Sequence, residues 1–199
     1  MMEKLTISFF IMMNPFAQFL YLKSVIDDLD LKTFGYVYGK ASFMSFIIYS
    51  IFAVIGDGIF THFFNIKFES FKIFGGIIIF SYAFLLIMKG TKGMLQIKEN
   101  LDDLASEIAL PFIVGAGTIY LSILIGHTAH SEWLALSAIA IVMVINYFLV
   151  LLFAFIKDHF KKKQKVAFDK YVGIAMRLNG FFMGAIGVHM VVEGIAHFY

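Results

Sequence analysis

Six apolar runs, each long enough to cross the core of a bilayer, constrain this chain more than any other feature. They cover roughly Leu5–Leu22, Tyr36–Phe60, Phe71–Met88, Ile108–Gly126, Trp133–Ile156 and Tyr171–Phe198. Six spans of about 20 residues consume ~120 residues. The chain has 199, so the remainder suffices for loops and tails but not for a separate soluble domain. The sequence therefore predicts an all-α membrane protein with six transmembrane helices in a lipid bilayer. Composition agrees. Apolar residues make up 60% without counting 16 glycines, and charged residues only 15%, against roughly 25% in soluble domains. Disordered, collagen-like and disulfide-stapled classes are excluded, and the absence of cysteine excludes thiolate chemistry. A net charge of +2 says nothing about nucleic acid, and the Lys161–Lys163 run is read as a topology determinant rather than a nucleic-acid patch. The first run is read as a helix rather than a cleaved signal, because it carries Asn14-Pro15 and Gln18 and no A-x-A-like site follows it.

With six spans the connections alternate between two sides. The side of the termini holds three lysines, Lys4, Lys67 and Lys72. The other holds twelve, including Lys23, Lys32, Lys40, Lys157 and the run Lys161–Lys163, with Arg177 just inside the membrane. Short positive loops stay cytoplasmic, which predicts both termini outside a prokaryotic inner membrane. Arg177 is read as snorkelling to the cytoplasmic edge, and Asp57 as solvated near the outer end of its span.

The two prolines, Pro15 and Pro111, lie 96 residues apart, and each is followed by Phe. Lys72-Ile73-Phe74-Gly75 and Arg177-Leu178-Asn179-Gly180 share a basic-aliphatic-x-Gly pattern at an offset of 105. Residues 1–95 and 105–199 thus read as two copies of a three-helix unit, joined by a cytoplasmic linker at 96–104. Three is odd, so the second copy is inverted. In such transporters the ligand site lies near the midplane, where broken helices meet. Proline removes a backbone donor and crowds the carbonyl four residues back. Pro15 and Pro111 are expected to break the first and fourth helices at that site; an ordinary proline kink is the alternative at either position. Leu101, Leu104, Ala105 and Ile108 share one helical face before Pro111, as a cytoplasmic entrance or a surface amphipathic helix would.

Asn14 and Gln18 are four apart and share a face. Pro111 is followed by Gly115-Ala116-Gly117-Thr118, where small residues admit a ligand or a neighbouring backbone. Asn146 lies midway along the fifth run and Asn179 early in the sixth; buried amides in lipid face the bundle interior. The candidate substrate-binding residues are therefore Asn14, Pro15, Phe16, Gln18, Pro111, Gly115, Gly117, Thr118, Asn146 and Asn179. Gly75-Gly76 and Gly180-x-x-x-Gly184 read as helix-packing surfaces. His189, Glu193 and His197 form a stripe on the last helix, with His127, His130, Glu132 and His62 on the same side. Polar helix ends explain these residues; proton coupling and a divalent metal site are the functional alternatives. No set of acid, base and nucleophile converges at depth, so an enzyme is not expected, nor a cofactor.

These segments resemble the MarC family of bacterial and archaeal inner-membrane proteins along the whole chain. Ile11-Met12-Met13-Asn14-Pro15-Phe16 is similar to that family's apolar-(Asn/Asp)-Pro segment, and Phe71 through Phe80 to its Phe-Arg-Ile-x-Gly-Gly stretch. Leu110 through Ile119 resembles its Pro-x-x-x-Gly-Pro-Gly segment, and Arg177 through Ile195 its last helix. Ala116 stands where the family commonly has proline, and Lys72 where it has arginine. The resemblance implies inverted three-helix repeats and a secondary transporter of small neutral amino acids of the glycine and alanine class. Phe16, Phe112 and the glycines would limit the pocket. A divalent-metal permease or sensor using the outer His/Glu group and a non-transporting scaffold subunit are the alternatives.

Overall fold

A computed structural model describes residues 1–56, 58, 60, 65–89, 101–158 and 162–198, with backbone alone at 89, 111, 112, 158 and 162–169. Asp57, His62, the linker residues 96–100 and Lys161 lie outside the described residues, as do the side chains of Pro111, Phe112, Lys162 and Lys163. All regular structure among the described residues is helical: α1 (Met2–Met13), α2 (Pro15–Tyr21), α3 (Lys23–Asp28), α4 (Leu31–Ile55), α5 (Phe68–Lys89), α6 (Leu101–Glu107), a π turn (Ile108–Ile113), α7 (Ala116–Thr128), α8 (Glu132–Asp158) and α9 (Lys162–Ala196).

Four described helices are long and apolar enough to cross a membrane: Leu31–Ile55, Phe68–Met88, Glu132–Lys157 and Lys170–Ala196. They correspond to the second, third, fifth and sixth apolar runs. The first and fourth runs are broken where their prolines stand. Large apolar side chains face outward over the bundle, including Phe43, Phe84, Ile141, Phe148 and Phe181. That much exposed apolar surface is unfavourable in water and suits contact with lipid.

Helix α4 packs against α7 and α8, α1 against α7, and α2 against α8, forming the main core. Phe9 of α1 meets Tyr49 of α4 edge-on, with ring centroids 5.0 Å apart. Helices α5 and α9 form a second body, packed along their length. They run antiparallel: Gly180 lies against Ala83 and Ile87, Gly187 against Gly76 and Phe80, and Gly194 against Glu69 and Ile73.

Two short helices fall in segments that the hydropathy pattern treats as connections. Helix α3 forms because Val25 is buried beneath it. Leu29 then turns extended, and Asp30 restarts the chain by accepting bonds from the Lys32 and Thr33 amides, both at 3.1 Å. Helix α6 carries the apolar face read from its sequence. Leu104, Ala105 and Ile108 are fully buried against the core, while exposed Asp102 pairs with Lys40 at 2.5 Å. It packs on α4 as an amphipathic helix does.

On the lysine-rich side, the buried Lys157 of α8 pairs with Asp27 of α3, and Asp27 also binds Lys23 at 2.6 Å. Burial alone would push the Asp27 carboxyl up, but the hydrogen bonds and charges of Lys157 and Lys23 outweigh it and hold the carboxyl below its ordinary range. A carboxylate shifted down on folding stabilises the fold fully above its unfolded pKa, about 3.9, and loses that contribution as pH falls through the folded value. The unfolding midpoint of the wild type is therefore expected to drop below about pH 4, with a smaller acid loss in Asp27→Asn. Identical acid limbs in the two proteins would remove this latch from the account.

Candidate functional site

Proline dictates the first break. The residue before a proline is driven from the α region, and Asn14 takes the left-handed conformation, φ 47°. Asn tolerates that region better than other residues with a Cβ. Its amide still closes α1 onto the Phe10 carbonyl at 3.2 Å. Its side-chain Oδ1 caps α2 by accepting the Ala17 amide at 3.0 Å. Pro15 sits at the first position of α2, where no amide donor is needed. The Met13 carbonyl, which would otherwise accept the Ala17 amide, accepts Gln18 Nε2 at 2.7 Å.

The second break follows the same logic with more residues. Leu110, ahead of Pro111, is extended (φ −120°, ψ 119°), and the Val114 amide reaches back five residues to the Ala109 carbonyl at 2.9 Å. Val114 and Gly115 are extended before α7 begins. Thr118 closes the new N-terminus: its hydroxyl accepts the Gly115 amide at 3.0 Å and donates to the Gly115 carbonyl at 2.9 Å. The Ile113 carbonyl accepts the Tyr49 hydroxyl from α4 at 2.7 Å. The Met13, Ile113 and Gly115 carbonyls thus each have a side-chain donor. This satisfies the requirement that broken backbone at membrane depth face protein or a cavity.

The two breaks meet. Met12 and Met13 from the first, and Ile113, Gly115, Gly117 and Thr118 from the second, line one cavity of about 100 Å³, with Met183 and Ile186 of α9. A larger cavity of about 510 Å³ shares Met12, Met13, Gly117, Met183 and Ile186 with it. Its walls are the half of α1 before the break, Ala17, Gln18 and Tyr21 of α2, Lys72 of α5, the start of α7, and α9 from Asn179 to Glu193. It therefore runs along both sides of the first break.

Asn14, Gln18 and Asn179 all line this larger cavity. Asn14 Nδ2 donates to Asn179 Oδ1 at 3.3 Å, Asn179 Nδ2 to the Tyr21 hydroxyl at 2.5 Å, and Tyr21 contacts the Met183 sulfur. Behind the wall, Gln18 Oε1 accepts from the Tyr38 hydroxyl and from Asn146 Nδ2, the latter at 3.0 Å; Asn146 Nδ2 also donates to Tyr38 at 2.8 Å. Asn146 is fully buried, and its Oδ1 has no hydrogen-bond partner among the described residues. Such an orphaned acceptor costs about 1–3 kcal/mol.

Phe16 is not brought to the site. It is half-exposed, and its ring sits edge-on to Phe153 of α8 at 6.1 Å, so it does not set the size of either cavity. Pro15 and Pro111 act through the backbone they break.

Sequence reasoning missed Tyr21, Tyr38 and Tyr49, hydroxyl-bearing residues in apolar segments. It also used Lys72 for topology, the repeat pattern and the family comparison, without giving it a place at the site. Lys72 lines the larger cavity, with Glu193 at 3.3 Å and the Tyr120 ring 4.3 Å below its ammonium. His189 and Glu193 line that cavity too, but His197 Nδ1 lies 2.9 Å from the Glu193 main-chain carbonyl of its own helix. Among the described residues no three His, Asp or Glu side chains converge to hold a metal ion.

The fold and site define a class: a helical membrane protein in which two proline-broken segments meet at a partly polar cavity. The chain belongs to the MarC family of integral membrane proteins, whose family model matches residues 1–199. It is similar to the UPF0056 membrane protein YvbG of Bacillus subtilis, 25% identical over 95% of this chain and 91% of that one. It is similar also to UPF0056 membrane proteins of Aquifex aeolicus (27%, 96% and 91%) and of Buchnera aphidicola from Schizaphis graminum (24%, 96% and 93%). No solved structure matches the chain.

Proposed function

We propose that the protein is a secondary transporter that moves small neutral amino acids of the glycine and alanine class across a prokaryotic inner membrane by alternating access. The observation that carries this reading is the small cavity shared by both helix breaks. At about 100 Å³, it is smaller than the roughly 150 Å³ cavity that accepts benzene, so it suits a ligand with a minimal side chain. The start of α7 offers backbone amides and a positive helix end to a carboxylate. Asn14, Asn179 and Gln18 supply amide donors and acceptors close by. His189, on the wall of the larger cavity, would couple transport to protons.

The same reading includes two inverted three-helix repeats, residues 1–95 and 105–199, with both termini outside and the lysine-rich loops cytoplasmic. Support comes from the pairing of elements. Helices α1 and α7, α4 and α8, and α5 and α9 hold corresponding places in the two halves, and each pair packs together. The larger cavity reaches from Lys72 and Glu193 past the first break to Tyr21, where Ala17, Leu20, Tyr21, Leu86, Val172 and Met176 form an apolar cluster.

The test is counterflow of radiolabelled alanine into proteoliposomes preloaded with unlabelled alanine, which needs no driving gradient. Accumulation that glycine or serine blocks and leucine does not is the expected result. No accumulation in vesicles with verified insertion would overturn the reading.

A further inference from the structure

Two lysines are buried among the described residues, and they differ in what they bind. Lys157 is engaged by Asp27 in the three-residue network on the lysine-rich side. Lys72 is 8% exposed, yet its ammonium lies 3.3 Å from Glu193 Oε1, a longer separation than the 2.5–2.6 Å of the Lys40–Asp102 and Lys23–Asp27 pairs. Among the described residues no hydrogen bond reaches either the Lys72 ammonium or the Glu193 carboxylate, and the second neighbour of Lys72 is the face of Tyr120. An ammonium carries three donors and a carboxylate about four acceptor sites. Taking the Lys72 charge from bulk water without spending that capacity is costly, while the Glu193 side chain stays 35% exposed. Both side chains line the larger cavity, so the capacity faces ligand space.

We propose that Lys72 and Glu193 form an entry subsite that recognises both charges of a zwitterion, Lys72 pairing with the ligand's carboxylate and Glu193 with its ammonium. The assignment rests on the amino-acid reading above and adds to it the residues that test for charge. A zwitterion replaces one loose ion pair with two. A simple anion would satisfy Lys72 and strand Glu193 beside it; a simple cation would do the reverse. The pair thus disfavours singly charged analogues of similar size by leaving one of its charges unpaired, a cost larger at the buried Lys72 than at the partly exposed Glu193. Glu193 follows Asn179 by fourteen residues, about 21 Å along a helix at 1.5 Å per residue. A small amino acid cannot touch both at once, so this subsite lies at the mouth of the cavity and precedes the site between the breaks.

The experiment measures alanine counterflow in proteoliposomes, with alaninamide (ammonium only) and propionate (carboxylate only) as competitors. In Lys72→Met the KM for alanine is expected to rise at least about tenfold, and alaninamide becomes a better inhibitor because Glu193 is left free for it. In Glu193→Gln the KM rises similarly, and propionate becomes the better inhibitor. These opposite gains distinguish recognition from a structural tie between α5 and α9, which would move neither. Where a single variant does not fold, Lys72→Met/Glu193→Gln removes both charges together and is expected to show the same rise in KM. Unchanged KM and competitor profiles in these variants, with transport lost in Asn179→Ala, would overturn the subsite and leave the transporter reading standing. No alanine counterflow by the wild type would overturn that reading, and this subsite with it.

Discussion

Asn14→Gly is expected to leave the bundle folded and to weaken alanine binding about ten- to a hundredfold, the worth of one hydrogen bond to a charged group, roughly 1.5–3 kcal/mol. The choice of glycine follows from the backbone. Asn14 sits at φ 47° and caps α2 through its side chain. Alanine at that position would face a left-handed penalty of about 1–2 kcal/mol and lose a cap worth about 1 kcal/mol. Lost activity in Asn14→Ala would therefore mix folding with recognition. Glycine adopts the left-handed region freely and costs only a few tenths of a kcal/mol as a cap. It removes the amide that faces the cavity and Asn179, with the α2 cap lost at that small cost. Asn14→Asp completes the series, because it keeps the cap acceptor and loses the Nδ2 donor. Alanine affinity by calorimetry and counterflow rate should fall together in Asn14→Gly, with the thermal midpoint nearly unchanged. Wild-type affinity in that variant would remove Asn14 from the site and reduce its role to shaping the break.

What could be read before the fold was known divides along a physical line. Both breaks were legible because proline lacks its amide wherever it stands, so Pro15 and Pro111 mark lost hydrogen bonds without any tertiary information. Asn14 and Gln18 were legible as a pair because four-residue spacing places them on one face, and both do line the cavity. Phe16 was assigned to the site by adjacency alone; helical rotation carries it to α8 and Phe153. The partners of the broken backbone were not legible. Tyr49 reaches the Ile113 carbonyl across 64 residues, and a tyrosine in an apolar span reads equally well as an interfacial anchor. Spacing within one helix was also misleading for Lys72 and Glu193. One counted toward topology and the other toward a histidine stripe, because the pairing that gives them a role exists only between α5 and α9. The glycines repeat the lesson. Gly180-x-x-x-Gly184 has the familiar four-residue spacing, yet a Cβ at Gly184 would meet only the Ala83 Cβ, at an ordinary 3.6 Å. The tight positions of α9 are Gly180, Gly187 and Gly194, seven apart.

That seven-residue stripe sets the second large effect: Gly187→Ala is expected to destabilise the protein by about 3 kcal/mol, at the upper end for an overpacked core. A Cβ at Gly187 would lie 2.7 Å from the Gly76 carbonyl oxygen and 2.8 Å from the Phe80 amide nitrogen. Both are backbone atoms of α5, so no side chain can swing away and the helices themselves must separate. The contact is reciprocal, since a Cβ at Gly76 would lie 2.6 Å from the Gly187 carbonyl oxygen. A seven-residue repeat keeps one seam of a helix facing its partner over several turns, which is why α5 and α9 can touch backbone to backbone along their length. Gly173→Ala is the internal control, because nothing lies within 4 Å of its Cβ position; removing a helical glycine there should stabilise by up to about 1 kcal/mol. Gly184→Ala should resemble Gly173→Ala despite lying three residues from Gly187. Thermal or detergent unfolding of the three variants separates the outcomes, and equal midpoints for Gly187→Ala and Gly173→Ala would sink the close seam. The consequence reaches transport. Both α9 walls of the cavities, Met183 and Ile186 beside the breaks and Glu193 beside Lys72, hang on the body that this seam holds together. Residual Gly187→Ala protein should therefore lose the Lys72–Glu193 register as well as stability, and its KM for alanine should rise even at temperatures where it remains folded.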